Sequence, residues 1–230
     1  MYQYNDDSLM LHNDLYQINM AESYWNDGIH ERIAVFDLYF RKMPFNSGYA
    51  VFNGLKRVVN FIENFGFTNE DITYLKSIGY KEDFLNYLKD LKFTGNIKSM
   101  QEGEICFGNE PLLRVEAPLI QAQLIETILL NIINFQTLIA TKASRIRQIA
   151  THDSLMEFGT RRAQEIDAAL WGARAAFIGG FDSTSNVRAG KLFNIPVSGT
   201  HAHALVQTYG DEYIAFKKYA ERHKNCVFLV

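Results

Sequence analysis

Between residues 154 and 203 the chain repeats one pattern three times: a short apolar run, then a short polar segment that contains glycine. The runs are Ser154-Leu-Met-Glu157, Ala175-Ala-Phe-Ile178 and Asn194-Ile-Pro-Val197. They are followed by Phe158-Gly-Thr-Arg-Arg162, Gly179-Gly-Phe-Asp-Ser-Thr-Ser185 and Ser198-Gly-Thr-His-Ala-His203. Short apolar runs bounded by turn residues predict buried parallel strands. In such α/β arrangements the loops at the carboxyl ends of the strands converge on one face, where ligands bind. Two arginines, an aspartate, several hydroxyls and two histidines delivered to one rim predict an active site for an anionic substrate.

Composition narrows the options. A chain of 230 residues, 47% hydrophobic and 13% aromatic, can build a substantial core. A net charge of -3 argues against a general nucleic-acid binder, so an anion must be held by a local cluster. Cys106 and Cys226 fit no metal spacing, and two lone cysteines suit a reducing compartment without a disulfide framework. The N-terminus lacks the basic start and apolar core of a signal peptide, which makes a cytoplasmic location the expectation. The most apolar stretch, residues 119–140, carries Gln121, Gln123, Glu126, Asn131, Asn134 and Gln136. A bilayer span needs about 20 mostly apolar residues, so this stretch reads as a core helix, with no membrane partner.

Before residue 119 the pattern is mixed. Helices are predicted over 8–26, 51–65 and 83–91, with another opening at Thr68 or Asn69. Alternation at residues 35–40 predicts a strand. Residues 95–100, 104–107 and 112–116 predict a small antiparallel sheet. Pro118 opens a long helix that reaches about residue 150. Further helices are expected over 163–173, 186–193 and 204–223, and residues 226–230 read as a fourth buried strand. The fold class is therefore α/β. A mixed α+β N-terminal domain occupies residues 1–118; residues 119–230 hold a connecting helix and four βα units, half of a closed eight-stranded barrel. The simplest inference is the N-terminal part of something longer.

At these residues the sequence resembles the nicotinate phosphoribosyltransferases. Asn13-Asp-Leu-Tyr-Gln17 with Met20, and Phe40-Arg-Lys-Met-Pro-Phe-Asn46 with Gly48-Tyr49, are similar to that family's opening motifs. Asn109-Glu-Pro-Leu-Leu-Arg-Val-Glu116 and residues 131–145 resemble its β-section and connecting helix. Glu157-Phe-Gly-Thr-Arg-Arg162, Gly180-Phe-Asp-Ser-Thr-Ser-Asn186 and Gly199-Thr-His-Ala-His203 resemble its active-site strand ends. The resemblance covers essentially the whole chain and implies an irregular α/β barrel beside a mixed domain. It also implies an activity: nicotinate and phosphoribosyl pyrophosphate give nicotinate mononucleotide and pyrophosphate in NAD synthesis, with Mg²⁺ and coupled ATP hydrolysis.

The resemblance also assigns residues. His203 would receive the ATP γ-phosphoryl, which suits a neutral imidazole nucleophile. His201 is a bystander. Arg161 would approach the phosphoribosyl pyrophosphate, with Arg162 beside it; two adjacent side chains at one strand end diverge, so one of them is structural. Phe158 matches an aromatic that stacks on the pyridine ring, and Tyr16 matches one on the opposite side that a partner subunit supplies. This assignment implies a homodimer with a shared site. Thr200 resembles the nicotinate contact, since a hydroxyl can donate to a carboxylate. Ser185 stands near the position where nicotinamide-using relatives carry an acid, and serine lacks the repulsion an acid would exert on a carboxylate. Asp182 could orient a histidine, assist a metal or cap the next helix. No protein metal ligands are assigned. The rival expectation is a non-catalytic fragment whose unpaired strand edge favours self-association.

Overall fold

The computed structural model describes residues 9–223. They form two compact units that divide inside one long helix, between Lys142 and Ala143. In chain order the first unit contains α1 (Leu15–Asn26), β1 (Ile33–Leu38), β2 (Ala50–Val51), α2 (Leu55–Glu63), α3 (Asn69–Ser77), α4 (Glu82–Asp90), β3 (Asn96–Ser99), β4 (Ile105–Cys106), β5 (Leu113–Pro118) and most of α5 (Leu119–Ile149).

Along β5 burial alternates. Leu113, Val115 and Ala117 turn into the core while Arg114 and Glu116 face out, as a pleated strand requires. β1 and β3 flank it, both antiparallel. On the outer face Arg114 donates to both oxygens of its cross-strand neighbour Asp37, at 2.7 and 2.8 Å. The expected three-strand sheet is therefore rearranged. β4 leaves its sequence neighbours and pairs with β2, and β1 takes the place beside β5. Val51, expected in a helix, lies in β2. α2 starts only after Gly54, whose φ of 111° suits glycine and whose missing Cβ leaves room for the backbone at Ile132 and Ile133. α1 likewise begins at Leu15, because Asn13 upstream is tied by its side chain to the carbonyls of Met10 and Leu124. α3 opens as predicted, with Thr68 and Asp71 forming a reciprocal capping box.

The core gathers Phe52, Phe84, Leu85, Leu88, Leu112 and Leu113 against Ile120, Leu124, Ile125 and Ile128 of α5, all less than 2% exposed. Each such side chain contributes about 1.5–3 kcal/mol by leaving water. This packing explains why the boundary lies within α5 and not at residue 118: the first turns of α5 complete the core of the first unit. Its polar residues serve backbone groups. Thr137 and Thr141 accept from the N–H of Asn53 and Val51 at 3.1 and 2.9 Å, and Gln121 accepts from that of Thr94 at 2.8 Å. The helix is long and apolar enough to cross a membrane, yet over half of its most apolar stretch is buried in protein.

The second unit continues with β6 (Met156–Glu157), α6 (Glu165–Ile178), β7 (Ser183–Thr184), α7 (Val187–Phe193), α8 (His203–Tyr209) and α9 (Glu212–Arg222). β6 and β7 are parallel, and Thr184 bridges to Val197, also in parallel. Two expectations are corrected. The run 175–178 is the last turn of α6, and the strand is Ser183–Thr184. A four-residue apolar run has no periodicity that separates strand from buried helix, and its alanines favour helix. The helix expected over 204–223 breaks at Gly210 (φ 69°), after which Asp211 caps α9 through the Ile214 N–H. The expected strand at 226–230 lies outside the described residues.

Candidate active site

Glu157, Thr184 and Val197 lie side by side across the parallel strands. The Ser185 N–H donates to the Glu157 carbonyl at 2.9 Å, and the Ser198 N–H to the Thr184 carbonyl at 3.0 Å. Phe158, Ser185 and Ser198 are thus the first residues beyond one carboxyl edge. The chain leaves that edge along three paths. Phe158 and Gly159 lead into a 3₁₀ turn at Thr160–Arg162, Ser185 and Asn186 into α7, and residues 198–202 into α8, of which His203 is the first residue. Phe158, Arg161, Arg162, Ser185, Thr200 and His203 therefore all sit on segments that depart from the same edge. Phe158, Ser185 and Thr200 are half-buried, and the two arginines and His203 are exposed. His201 turns to α9 instead, with its ring 5.0 Å from Phe216 and 6.0 Å from Tyr219.

Asp182 is not among them. It precedes β7, at the amino end of the strands, where its carboxylate accepts from the Leu155 N–H at 2.7 Å and from Arg147 at 2.5 Å. The Leu155 N–H first, and then the Arg147 guanidinium, hold its pKa below the usual carboxylate range. Nor does Asp182 cap α7. Asn186 does so, accepting from the Ala189 N–H at 3.0 Å. Tyr16 belongs to the first unit. Half-exposed on α1, it accepts from Gln17 at 2.9 Å and borders an open groove of about 530 Å³ lined in part by Asp14, Tyr39, Arg41, Glu126 and Asn134.

Three residues that sequence reasoning missed organise the two ends of the parallel strands, Arg147 the amino ends and Glu157 with Thr184 the rim. Arg147, in the last turn of α5, donates to the carbonyls of Gly180 (2.7 Å), Ala150 (2.8 Å) and Asp153 (2.8 Å) as well as to Asp182. Gly180 is fixed by the same contact: its φ is 106°, and a Cβ there would lie 3.1 Å from the Arg147 side chain. Glu157 and Thr184 join their side chains at 2.7 Å between the two strand ends. One signal for Glu157 was available, since an acid closing a predicted buried strand requires partners. Among the described residues no three His, Cys, Asp or Glu side chains converge as a metal site.

Comparison with known proteins places this arrangement. Residues 11–134 match the family described as the nicotinate phosphoribosyltransferase (NAPRTase) N-terminal domain. A nicotinate phosphoribosyltransferase of Bacillus subtilis (strain 168) is 67% identical over 230 residues, which is all of this chain and 47% of that protein. The crystal structure of human nicotinic acid phosphoribosyltransferase superposes with a TM-score of 0.80 at 39% identity, over 85% of this chain and 40% of that one. A nicotinate-nucleotide pyrophosphorylase from Pyrococcus furiosus shares the fold, with a TM-score of 0.79 at 24% identity over 99% of this chain and 51% of that one. The chain spans about half the length of the Bacillus relative. The α/β class expected from the sequence is thus borne out, and with the match extending over more than half of its residues, the chain belongs to the nicotinate phosphoribosyltransferase family.

Proposed function

We propose that this chain is the N-terminal part of an enzyme that joins nicotinate to phosphoribosyl pyrophosphate, forming nicotinate mononucleotide and pyrophosphate in cytoplasmic NAD synthesis. The observation that carries this reading is the single edge from which the segments bearing Phe158, Arg161, Ser185, Thr200 and His203 depart. In the reaction the pyridine nitrogen bonds to the ribose carbon that carries pyrophosphate, and that carbon–oxygen bond breaks. Arg161 meets the phosphate oxygens with its planar fork, and Arg162 adds positive charge beside it. The leaving group is a polyanion, so the gain comes from charge neutralisation and fixed geometry.

Phe158 takes one face of the pyridine ring. Tyr16, supplied by a second copy in a homodimer, takes the other. Thr200 donates to the nicotinate carboxylate, and Ser185 leaves that carboxylate unopposed where an acid would repel it. His203 accepts the ATP γ-phosphoryl on its imidazole and releases ADP, and water later removes the phosphoryl as phosphate. The described residues do not form a Mg²⁺ cage, and Asp182 is committed to Arg147. Mg²⁺ in this reading travels with the polyphosphate substrates, and no step is assigned to it. Family membership and whole-chain similarity to a nicotinate phosphoribosyltransferase favour this reading over a non-catalytic fragment.

The test is turnover of nicotinate by a family-length form, in which this chain is continued by the C-terminal half of the Bacillus relative. Formation of nicotinate mononucleotide that depends on phosphoribosyl pyrophosphate supports the reading. A folded family-length form without turnover refutes it.

A further inference from the structure

The strands behind the rim are only two residues long, so backbone bonds alone do little to fix the spacing of the loops they carry. A side-chain network supplements them. Thr184 is fully buried, and its hydroxyl donates to one Glu157 carboxylate oxygen at 2.7 Å. The other Glu157 oxygen accepts from the Gly159 N–H, at the turn that follows Phe158. The Thr184 hydroxyl oxygen in turn accepts from the Asn186 N–H at 3.0 Å, and the Asn186 side chain caps α7. An unbroken hydrogen-bonded path therefore runs from the 158–162 turn to the 185–186 turn.

We infer that Glu157 and Thr184 are positioning residues: together they brace the Phe158–Arg161 turn against the Ser185 turn and set the gap in which the pyridine ring and the reacting ribose must meet. The inference rests on the functional reading above. Two features set the pair apart from ordinary packing. Both carboxylate oxygens are engaged by neutral donors, so Glu157 leaves the positive charge of Arg161 and Arg162 available to a polyanion. The bond also joins two segments separated in sequence by a whole helix, so the gap cannot be held locally. Small errors in such a gap are costly, because a displacement of about 1 Å can cost about 100-fold in rate.

The experiment compares Thr184→Val, which removes the hydroxyl at nearly constant volume, with Thr184→Ser, which keeps it, in the family-length form. Thr184→Val should lower kcat by about tenfold or more, with a smaller rise in the nicotinate KM, while Thr184→Ser stays within about threefold of the parent. Glu157→Gln, which can accept through only one oxygen, provides a second variant should Thr184→Val fail to fold; it should show the same kcat-weighted loss. An active parent whose Thr184→Val and Glu157→Gln variants keep full kcat overturns the brace alone. A Thr184→Ser variant that falls as far as Thr184→Val also overturns it, since the hydroxyl is then not the determinant. A folded parent without turnover removes the functional reading, and the positioning assignment with it.

Discussion

Replacing Arg147 with methionine tests how the amino ends of the parallel strands are held. The guanidinium donates to three backbone carbonyls at 2.7–2.8 Å and to the Asp182 carboxylate. Bonds from a charged donor contribute about 1.5–3 kcal/mol when well shielded. The Arg147 side chain is a quarter exposed, and the carbonyls at 150 and 153 can turn to water, so about 1 kcal/mol for each carbonyl is appropriate. The half-exposed pair with Asp182 is screened and adds nothing to this sum. Arg147→Met should therefore destabilise the second unit by about 2–3 kcal/mol. With a urea m-value of about 1–3 kcal/mol per M, the midpoint falls by about 0.7–3 M. Trp171, which packs 5.0 Å from Phe193 in that unit, reports the transition once Trp25 is changed to phenylalanine. Arg147→Lys should recover less than half of the loss, because a single ammonium cannot reach acceptors spread around a planar fork. A midpoint shift below about 0.3 M, or a lysine variant equal to the parent, would refute the reasoning.

Other consequences follow from the same geometry. Asp182 has a lowered folded-state pKa, so its stabilising contribution is complete above the ordinary value of 3.8 and is lost as pH falls through the lower folded value. Asp182→Asn should flatten the acid limb of the Trp171 transition as pH falls through and below the ordinary carboxylate range; an unchanged limb would show that other carboxylates govern it. Burial pushes the Cys106 thiol up to about 11, so at pH 8 about a thousandth is thiolate. In a Cys226→Ser background the native protein should react with a disulfide reagent only at its unfolding rate, and fast labelling would contradict the burial. His203→Ala in the family-length form should abolish labelling by γ-phosphate-tagged ATP, and persistent label would move the acceptor elsewhere. Tyr16→Ala mixed with a His203→Ala partner should regain activity through heterodimers, whereas no rescue would count against a shared site.

Local chemistry was the legible part of this chain. The capping box at Thr68 and Asp71 and the long helix after Pro118 lie where the sequence predicts them, because short-range bonding and a continuous apolar run determine both. The pairing of β2 with β4 was not legible, since nothing in residues 95–118 identifies a partner more than 50 residues upstream. The run at 175–178 misled because a buried helix end and a buried strand share the same composition. At the rim, the segments at 158–162, 185 and 198–203 were identified because glycine, hydroxyl and charged residues follow apolar runs there. The Glu157–Thr184 bond there, and the fork of Arg147 at the opposite ends of the strands, were not, because a hydrogen bond between distant residues leaves no spacing in the sequence. Asp182 was drawn into the rim by its neighbours in sequence, while its backbone places it one step too early, at the opposite end of the strand.

The most direct test of the account is turnover of nicotinate, with phosphoribosyl pyrophosphate, ATP and Mg²⁺, by the family-length form beside the 230-residue chain. The account predicts nicotinate mononucleotide from the longer protein, lost on Arg161→Ala. A folded longer protein that makes none, or one that is indifferent to Arg161→Ala, would contradict it.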